Sequence, residues 1–147
     1  MNNNEIVGII YSLKEHNYNY LKKRKSPIYI KYIIHGDSKN PTKLCKGHIL
    51  FFYISSKEKT VVGYSKIREV TFCLPREIKQ SYMDRIQMTD DEFNQYVSQR
   101  DSKLLLTLEL DDIIDLQDKV RVPYPITMGG KYLSLDDVKN LLGNQNK

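Results

Sequence analysis

The densest apolar stretch of the chain consists of two runs joined by a polar turn. The runs cover residues 48–54 and 60–72, and residues 55–59 between them read Ser-Ser-Lys-Glu-Lys. A connection of this length between two β-branched and aromatic runs is typical of a β-hairpin. Gly63 interrupts the second run, and a glycine inside a strand usually marks a bulge or a close backbone approach. The pattern therefore predicts a hairpin at the centre of the fold.

The rest of the chain alternates short apolar runs with short amphipathic stretches. These predict strands at residues 5–11, 28–34 and 104–110, and helices at residues 13–23, 90–99 and 135–142, with Ser12, Thr89 and Ser134 as the helix caps. Residues 35–46 and 123–132 contain Gly and Pro and predict loops. The predicted fold class is α+β, a small mixed β-barrel with flanking helices that forms one domain over residues 1–147.

Composition narrows the class of protein. The apolar share of 40% and the charged share of 28% are ordinary for a globular protein. No apolar run reaches the roughly 18 residues of a membrane span, and the N-terminus lacks the basic start of a signal peptide, so we expect a cytoplasmic protein. Cys45 and Cys73 are too few for a disulfide framework and are expected to be free thiols. Neither a phosphate loop nor a dinucleotide fingerprint occurs, and we expect no cofactor.

The positive charge is concentrated in the first third of the chain. Residues 1–48 contain nine Lys or Arg against three acidic residues, whereas the whole chain has a net charge of +5. Basic residues at positions 22–25 end the first predicted helix, where they suit the helix dipole. The asymmetry predicts a polyanion partner, although a solvated lysine-rich surface explains it as well.

Two further groups of residues are candidates for ligand binding, the tyrosines and a His/Cys group. The 11 tyrosines offer flat faces on which bases can stack, but most tyrosines on strands are expected to be half-buried structural residues. His35, Cys45 and His48 have spacings that resemble part of a zinc site. Since no fourth ligand stands at a suitable spacing, we predict no metal site.

Several short motifs resemble the PUA-like superfamily, which includes the ASCH, EVE and YTH domains. The hairpin carries Lys46-Gly47, then Leu-Phe-Phe-Tyr at 50–53, then Val-Val-Gly-Tyr-Ser-Lys-Ile-Arg-Glu-Val at 61–70. The wider order is similar to an archaeal family of uncharacterised PUA-like proteins, the DUF365 group. The pieces that fit it are Ile-Val-Gly-Ile-Ile-Tyr at 6–11, Ile30-Lys31, Arg85-Ile86-x-x-Thr89 and Met128-Gly129-Gly130-x-Tyr132.

The resemblance implies a β-barrel with flanking helices and a cleft between the barrel and the first helix, where relatives bind RNA or modified bases. It implies no particular activity. The absence of Trp means that an aromatic cage of the YTH or EVE kind would need Tyr or Phe. Many ASCH members carry Glu-x-Arg on the second strand, and this chain has Tyr29-Ile30-Lys31 there, which argues against an ASCH-type hydrolase.

We therefore predict a nucleic-acid-binding protein, with RNA favoured over DNA, rather than an enzyme, and we assign no catalytic residue. The basic cluster would supply the phosphate field, and the remaining residues would line the cleft, with the two glycines letting backbone approach the ligand. The predicted nucleic-acid-binding residues are Lys22, Lys23, Arg24, Lys25, Tyr29, Lys31, Tyr53, Ser55, Tyr124, Gly129, Gly130 and Tyr132.

Two other functions fit the sequence. One is a small hydrolase that acts on a modified nucleoside, with Lys31 as general base beside Glu69 or Glu109. The other is a protein-interaction module whose basic face is incidental. The first predicts turnover of acylated nucleosides, and the second predicts a partner that is retained at high salt without nucleic acid.

Overall fold

The structure is a computed structural model that describes residues 5–33, 42–56 and 59–143. Seven strands and four helices occur within these residues. In chain order they are β1 (Ile6–Leu13), α1 (Glu15–Lys22), β2 (Ile28–Tyr32), β3 (Ile49–Ile54), β4 (Thr60–Cys73), α2 (Pro75–Ser81), α3 (Asp90–Val97), β5 (Leu105–Leu110), β6 (Ile114–Val120), β7 (Lys131–Ser134) and α4 (Leu135–Gly143).

The strands form one mixed sheet in the order β2-β5-β4-β3-β1-β7, with β6 paired to β4 beside this path. β1 and β3 run parallel, and every other pair is antiparallel. The 14 residues of β4 make it long enough to pair first with β3 and β6 and then with β5. It therefore joins the two halves of the sheet, and the predicted hairpin is confirmed as the centre of the fold.

The α+β class is confirmed, but the sheet is not closed into a barrel by any pairing among the described residues. The physical reason lies at the outer edge of β2, which is already occupied. The Ile28 N–H donates to the carbonyl of Arg85 at 2.7 Å, and Ile28 forms a parallel bridge with Ile86. The Tyr32 N–H donates to the hydroxyl of Tyr96 at 2.8 Å. An edge strand whose backbone N–H groups are already hydrogen-bonded in this way cannot pair with a further strand.

Both faces of the sheet are buried. The apolar side chains form three clusters, one in the interior, one beneath α2 and α3, and one beneath α4. Alternate residues of β1 and β3 divide between the interior, which holds Tyr11 and Phe52, and the α4 side, which holds Phe51. β2 divides in the same way: Ile30 packs with α2 and α3, and Tyr29 packs in the interior. Even-numbered residues of β2 thus face α2 and α3, and Tyr29 faces the interior, as strand alternation requires.

Gly63 is needed for close approach, as the sequence pattern predicted. A Cβ at this position would lie 1.9 Å from the Tyr18 hydroxyl oxygen and 2.9 Å from the carbonyl oxygen of Ile114. The register of β4 against β6 shifts between Val61 and Gly63. α1 therefore packs onto β4 at the one strand position where a side chain would exclude it.

The helix caps were predicted with mixed success. Thr89 forms the predicted capping box, in which its Oγ1 accepts from the Glu92 N–H at 3.2 Å and its own N–H donates to Glu92 Oε1 at 3.1 Å. Ser134 likewise accepts from the Asp137 N–H at 3.2 Å. The Ser12 cap was wrong: Ser12 is still in β1, paired with Tyr53 of β3, and α1 begins after Lys14 without a side-chain cap.

Two strands of the structure were not predicted in full. β7 and most of β6 were not predicted as strands, and both gain their conformation from pairing with β1 and β4. Position 34 and most of the loop predicted at residues 35–46 lie outside the described residues. No helix in the described residues is long and apolar enough to span a membrane.

Candidate functional site

A cleft of about 450 Å³ opens between α1 and the sheet, and we call it the α1 cleft. The end of β1, the first turns of α1, the middle of β2 and the turn after β3 contribute to it. The segment before α3, α3 itself and the loop before β7 complete it. Its lining residues are Ser12, Leu13, Lys14, Asn17, Tyr29, Ile30, Lys31, Ser55, Gln87, Met88, Tyr96, Ile126, Thr127 and Met128.

The charge of the α1 cleft is entirely positive among the described lining residues. Lys14 is exposed at its mouth, and Lys31 is half-buried in its wall. The Lys31 Nζ lies 5.3 Å from the centroid of the Tyr11 ring, and no carboxylate of the described residues lies within 4.0 Å of it. Burial lowers the pKa of Lys31. Because a half-buried ammonium without a counter-ion is costly, an anion that entered the cleft would be stabilised there.

The wall around Lys31 is aromatic. Tyr29 lies two residues before Lys31 on β2. Its ring stacks on the ring of Tyr11, with centroids 5.5 Å apart and an interplanar angle of 20°. Tyr29 also meets Phe52 edge-on at 6.4 Å. Burial raises the pKa of both tyrosine hydroxyls above the ordinary value of 10.0, so both rings are neutral. Their positions are fixed by the core, and Tyr29, which is 3% exposed, contributes little surface to the cleft.

Two buried amides also line the cleft. Gln87 is 4% exposed, and its Oε1 accepts from the Ile30 N–H at 3.1 Å while its Nε2 donates to the Ile30 carbonyl at 2.8 Å. Asn17 is 9% exposed, and its Nδ2 donates to the Gln87 carbonyl at 2.9 Å and to Glu92 Oε2 at 3.1 Å. These bonds tie α1, β2 and the start of α3 together around the cleft.

Glu92 supports this wall from behind. Burial alone would raise its pKa, but hydrogen bonds from His16, Thr89 and Asn17 outweigh that effect and lower the pKa to about 2. The His16 Nε2 lies 2.9 Å from Glu92 Oε2. Glu92 is therefore ionised near neutral pH and acts only as a hydrogen-bond acceptor.

The structure brings three of the predicted residues together in the α1 cleft: Tyr29, Lys31 and Ser55. Two predicted cleft residues lie elsewhere. Tyr53 packs with Phe51 in the cluster beneath α4, and Tyr124 packs at the edge of the same cluster, with the Lys131 Nζ at 5.1 Å from its ring centroid. The prediction that they line the cleft was wrong. Tyr53 was misplaced because both faces of β3 are apolar, and Tyr124 because it precedes β7 in a segment that packs against the α4 cluster.

Tyr132 and the paired glycines serve contacts within the fold. The Tyr132 hydroxyl accepts from the Lys43 N–H at 3.2 Å and packs against the interior cluster. Gly130 has a φ of +79°, and a Cβ there would lie 2.7 Å from a ring carbon of Tyr11. Gly129 has open space around it. Gly130 is thus required for approach to β1, and this differs from the predicted approach to a ligand.

Of the four side chains in the basic cluster at residues 22–25, two bond to other parts of the fold and two face solvent. Lys22 Nζ lies 3.1 Å from Asp115 Oδ1, and Arg24 donates to the carbonyls of Ile86 and Met83 at 3.1 and 3.3 Å. Lys23 and Lys25 are exposed. None of the four lines the α1 cleft. Their role in binding phosphate stays a prediction, and only Lys23 and Lys25 have side chains that no described contact engages.

A second, more open groove of about 1110 Å³ lies at the other end of the strands. Lys25 lines it, together with Glu69 and Glu109. Glu109 Oε1 accepts from Arg85 Nη2 at 3.0 Å. On β2 the partner of Glu109 is Ile28, whereas the partner of Lys31 is Leu106, so the two charged side chains point to opposite faces of the sheet. The proposed pairing of Lys31 with Glu69 or Glu109 was therefore wrong.

The polar residues of the cleft that the sequence did not single out are Ser12, Lys14, Asn17, Gln87 and Thr127. Asn17 and Gln87 have no local signal, since their partners are 70 and 57 residues away in the chain. The spacing of Cys45 and His48 has a structural explanation, because the Cys45 N–H donates to His48 Nδ1 at 3.0 Å. His35 lies outside the described residues.

Comparison with known proteins identifies the fold. The family model described as "Domain of unknown function (DUF365)" matches residues 6–135. A mutant of the ASCH protein from Zymomonas mobilis is similar with a TM-score of 0.75 and 10% identity, over 93% of this chain and 97% of that one. The ASCH structure from Zymomonas mobilis gives 0.71 and 10%, over 93% and 94%. The N-terminal domain of Staphylothermus marinus McrB gives 0.58 and 13%, over 95% and 97%. No curated protein matches significantly.

Proposed function

Because the chain belongs to the DUF365 family and has the PUA-like fold of ASCH domains, we propose that it binds nucleic acid by seating one nucleotide of a single strand in the α1 cleft. RNA is the favoured polymer, as the family resemblance implies. The size, the charge and the lining of the cleft support this proposal.

The size of the cleft suits a single nucleotide. Sites for small ligands usually enclose about 300–1,000 Å³, and the α1 cleft has about 450 Å³. A base inside a duplex cannot enter a cleft of this size without leaving its stack, whereas a base of a single strand can be splayed out at little cost. The expected ligand is therefore single-stranded.

The lining of the cleft suits both parts of a nucleotide. Only 3% of Tyr29 is exposed, so the apolar lining open to a base is mainly that of Met88 and Met128, whose soft side chains adapt to a flat ring. Lys14 and Lys31 offer positive charge to a phosphate, and no acidic side chain of the described lining opposes it. Ser12, Ser55 and Thr127 have hydroxyls that can bond to sugar or phosphate oxygens.

One observation carries the proposal: Lys31 is half-buried in the cleft with no carboxylate partner among the described residues. A lysine retained at such a position for stability alone is unexpected, because its burial opposes its charge. A phosphate would supply the missing counter-ion.

The test is the affinity of labelled single-stranded RNA, single-stranded DNA and duplex RNA at two salt concentrations, for the wild type and for Lys31→Gln. We expect single-stranded RNA to bind most tightly and Lys31→Gln to weaken it about 10- to 100-fold, the loss typical of a charged hydrogen bond. The slope of log affinity against log salt should become shallower by about 0.7. Lys139→Gln is the matched control, because Lys139 is exposed on α4, outside the cleft.

Each alternative function has its own outcome in this design. Equal affinity of the wild type and Lys31→Gln for RNA would contradict the proposal for the cleft. No binding at low salt would exclude nucleic acid as the ligand. Turnover of an acylated nucleoside that is lost in Lys31→Gln would favour the hydrolase, and a protein partner retained at high salt would favour the interaction module.

A further inference from the structure

Asn17 has a carbonyl oxygen that is fixed in direction and open to the α1 cleft. Its Nδ2 donates to the Gln87 carbonyl at 2.9 Å and to the Glu92 carboxylate at 3.1 Å. Both partners only accept hydrogen bonds, so rotating the amide by 180° would set three acceptors against one another. The orientation of this side chain is therefore determined by its neighbours.

The opposite atom, Asn17 Oδ1, is free to bind a ligand. None of the hydrogen bonds among the described residues uses it, and no fully buried side-chain oxygen or nitrogen among those residues is without a partner. The 9% of Asn17 that is exposed must therefore include Oδ1, and the residue lines the cleft. A side chain that is more than nine-tenths buried and held at two points presents one acceptor to whatever enters.

We infer that Asn17 Oδ1 selects the base in the α1 cleft and favours a base with an exocyclic amino group over uracil, which has none. This inference rests on the proposed function, since it names which nucleotide the same site prefers. Its physical basis is the complementarity between one fixed acceptor and the donors on the edge of a base.

The surroundings of Asn17 explain why an amino group is favoured over a ring N–H. The Gln87 carbonyl and the Glu92 carboxylate already accept from Asn17 Nδ2, so the amide offers a ligand only its acceptor oxygen. The ring N–H of uracil lies between two carbonyl oxygens, and these would come close to Oδ1 when the N–H donates to it. An exocyclic amino group projects from the ring and brings only hydrogens toward Oδ1.

The experiment compares short single-stranded RNAs of equal length, oligocytidine and oligouridine, because these bases differ mainly at the edge in question. For the wild type we expect about five- to tenfold tighter binding of oligocytidine. Asn17→Ala should reduce this ratio to about one. Asn19→Ala is the matched control, since Asn19 is exposed on the same helix and lies outside the cleft, and it should leave the ratio unchanged.

A second measurement does not depend on the folding of the Asn17 variant. An oligocytidine whose exocyclic amines are fully methylated has no donor there, and it should bind the wild type no more tightly than oligouridine does. Equal binding of oligocytidine and oligouridine by the wild type, with Lys31→Gln weakening both, would overturn the inference and leave the proposed function intact. Binding of neither RNA would overturn both.

Discussion

The side chain of Gln87 replaces a missing strand at the edge of β2, and this role can be tested by a single-atom exchange. Its amide accepts from the Ile30 N–H at 3.1 Å and donates to the Ile30 carbonyl at 2.8 Å, and the residue is 4% exposed. Gln87→Glu keeps the size and shape of the side chain. It replaces the donor with an oxygen that faces the Ile30 carbonyl oxygen.

The magnitude of the effect has two limits. If the introduced carboxyl stays ionised, the Ile30 carbonyl loses its donor and faces a buried charge, which costs at least about 1–3 kcal/mol. If it becomes protonated, both hydrogen bonds are restored, but protonating a Glu with a pKa of about 4.3 at pH 7 costs about 3.7 kcal/mol at 1.36 kcal/mol per unit. The expected loss of unfolding free energy at pH 7 is therefore between about 1 and 4 kcal/mol.

The sign of the pH dependence follows from the same reasoning. The pKa of the introduced carboxyl is higher in the folded state than in the unfolded state, because only the protonated form can donate to Ile30. The penalty is therefore absent below the unfolded pKa of about 4.3 and grows as the pH rises to the folded pKa. Gln87→Glu should match the wild type near pH 4 and be clearly less stable at pH 7.

Urea denaturation of the wild type and Gln87→Glu at both pH values measures this difference. Gln95→Glu is the control, because Gln95 is exposed on α3 and its exchange should change the unfolding free energy by less than about 0.5 kcal/mol at either pH. A loss for Gln87→Glu that is the same at pH 4 and pH 7 would refute the pairing of its amide with Ile30.

Two further predictions concern the supports of the cleft. Gly130→Ala should lower the unfolding free energy by about 2 kcal/mol or more, because φ is +79° and the added Cβ would lie 2.7 Å from Tyr11, whereas Gly129→Ala, with open space, should be nearly neutral in the same urea titration. Glu92→Gln should flatten the acid limb of the stability profile: the pKa of Glu92 is lowered from 4.5 to about 2, so its contribution is present above pH 4.5 and is lost as the pH falls toward 2. A steep acid limb that persists in Glu92→Gln would contradict this assignment.

The sequence predicted those elements whose cause is local. The Thr89 capping box, the Ser134 cap and the antiparallel pairing of β3 with β4 depend on residues that are close in the chain, and all three are confirmed. The Ser12 cap failed because tertiary pairing prevailed over a local signal: β3 holds Ser12 in the sheet through Tyr53. β7 has four residues and no signal of its own beyond its pairing with β1.

Three site residues were placed correctly from the sequence: Ser55 in the turn after β3, and two residues of a single strand. Tyr29 and Lys31 share a face of β2 by simple alternation, and both line the cleft. Tyr53 was misplaced because Phe51 and Phe52 are both apolar, so alternation cannot tell which face of β3 is toward the cleft. Asn17 could not be recognised at all, because its orientation depends on Gln87 and Glu92, which are 70 and 75 residues away.

The position of β1 in the sheet has a consequence for the synthesis of this chain. β1 is made before the other six described strands, and one of its neighbours, β7, is complete only at Ser134. Until then one edge of an apolar segment, Ile-Val-Gly-Ile-Ile-Tyr-Ser-Leu, has no partner, and it has neither charge nor proline to discourage pairing with other chains. Sheets that need such distant pairings fold slowly. The nascent chain is therefore most exposed to aggregation on the ribosome, before its last strand has emerged.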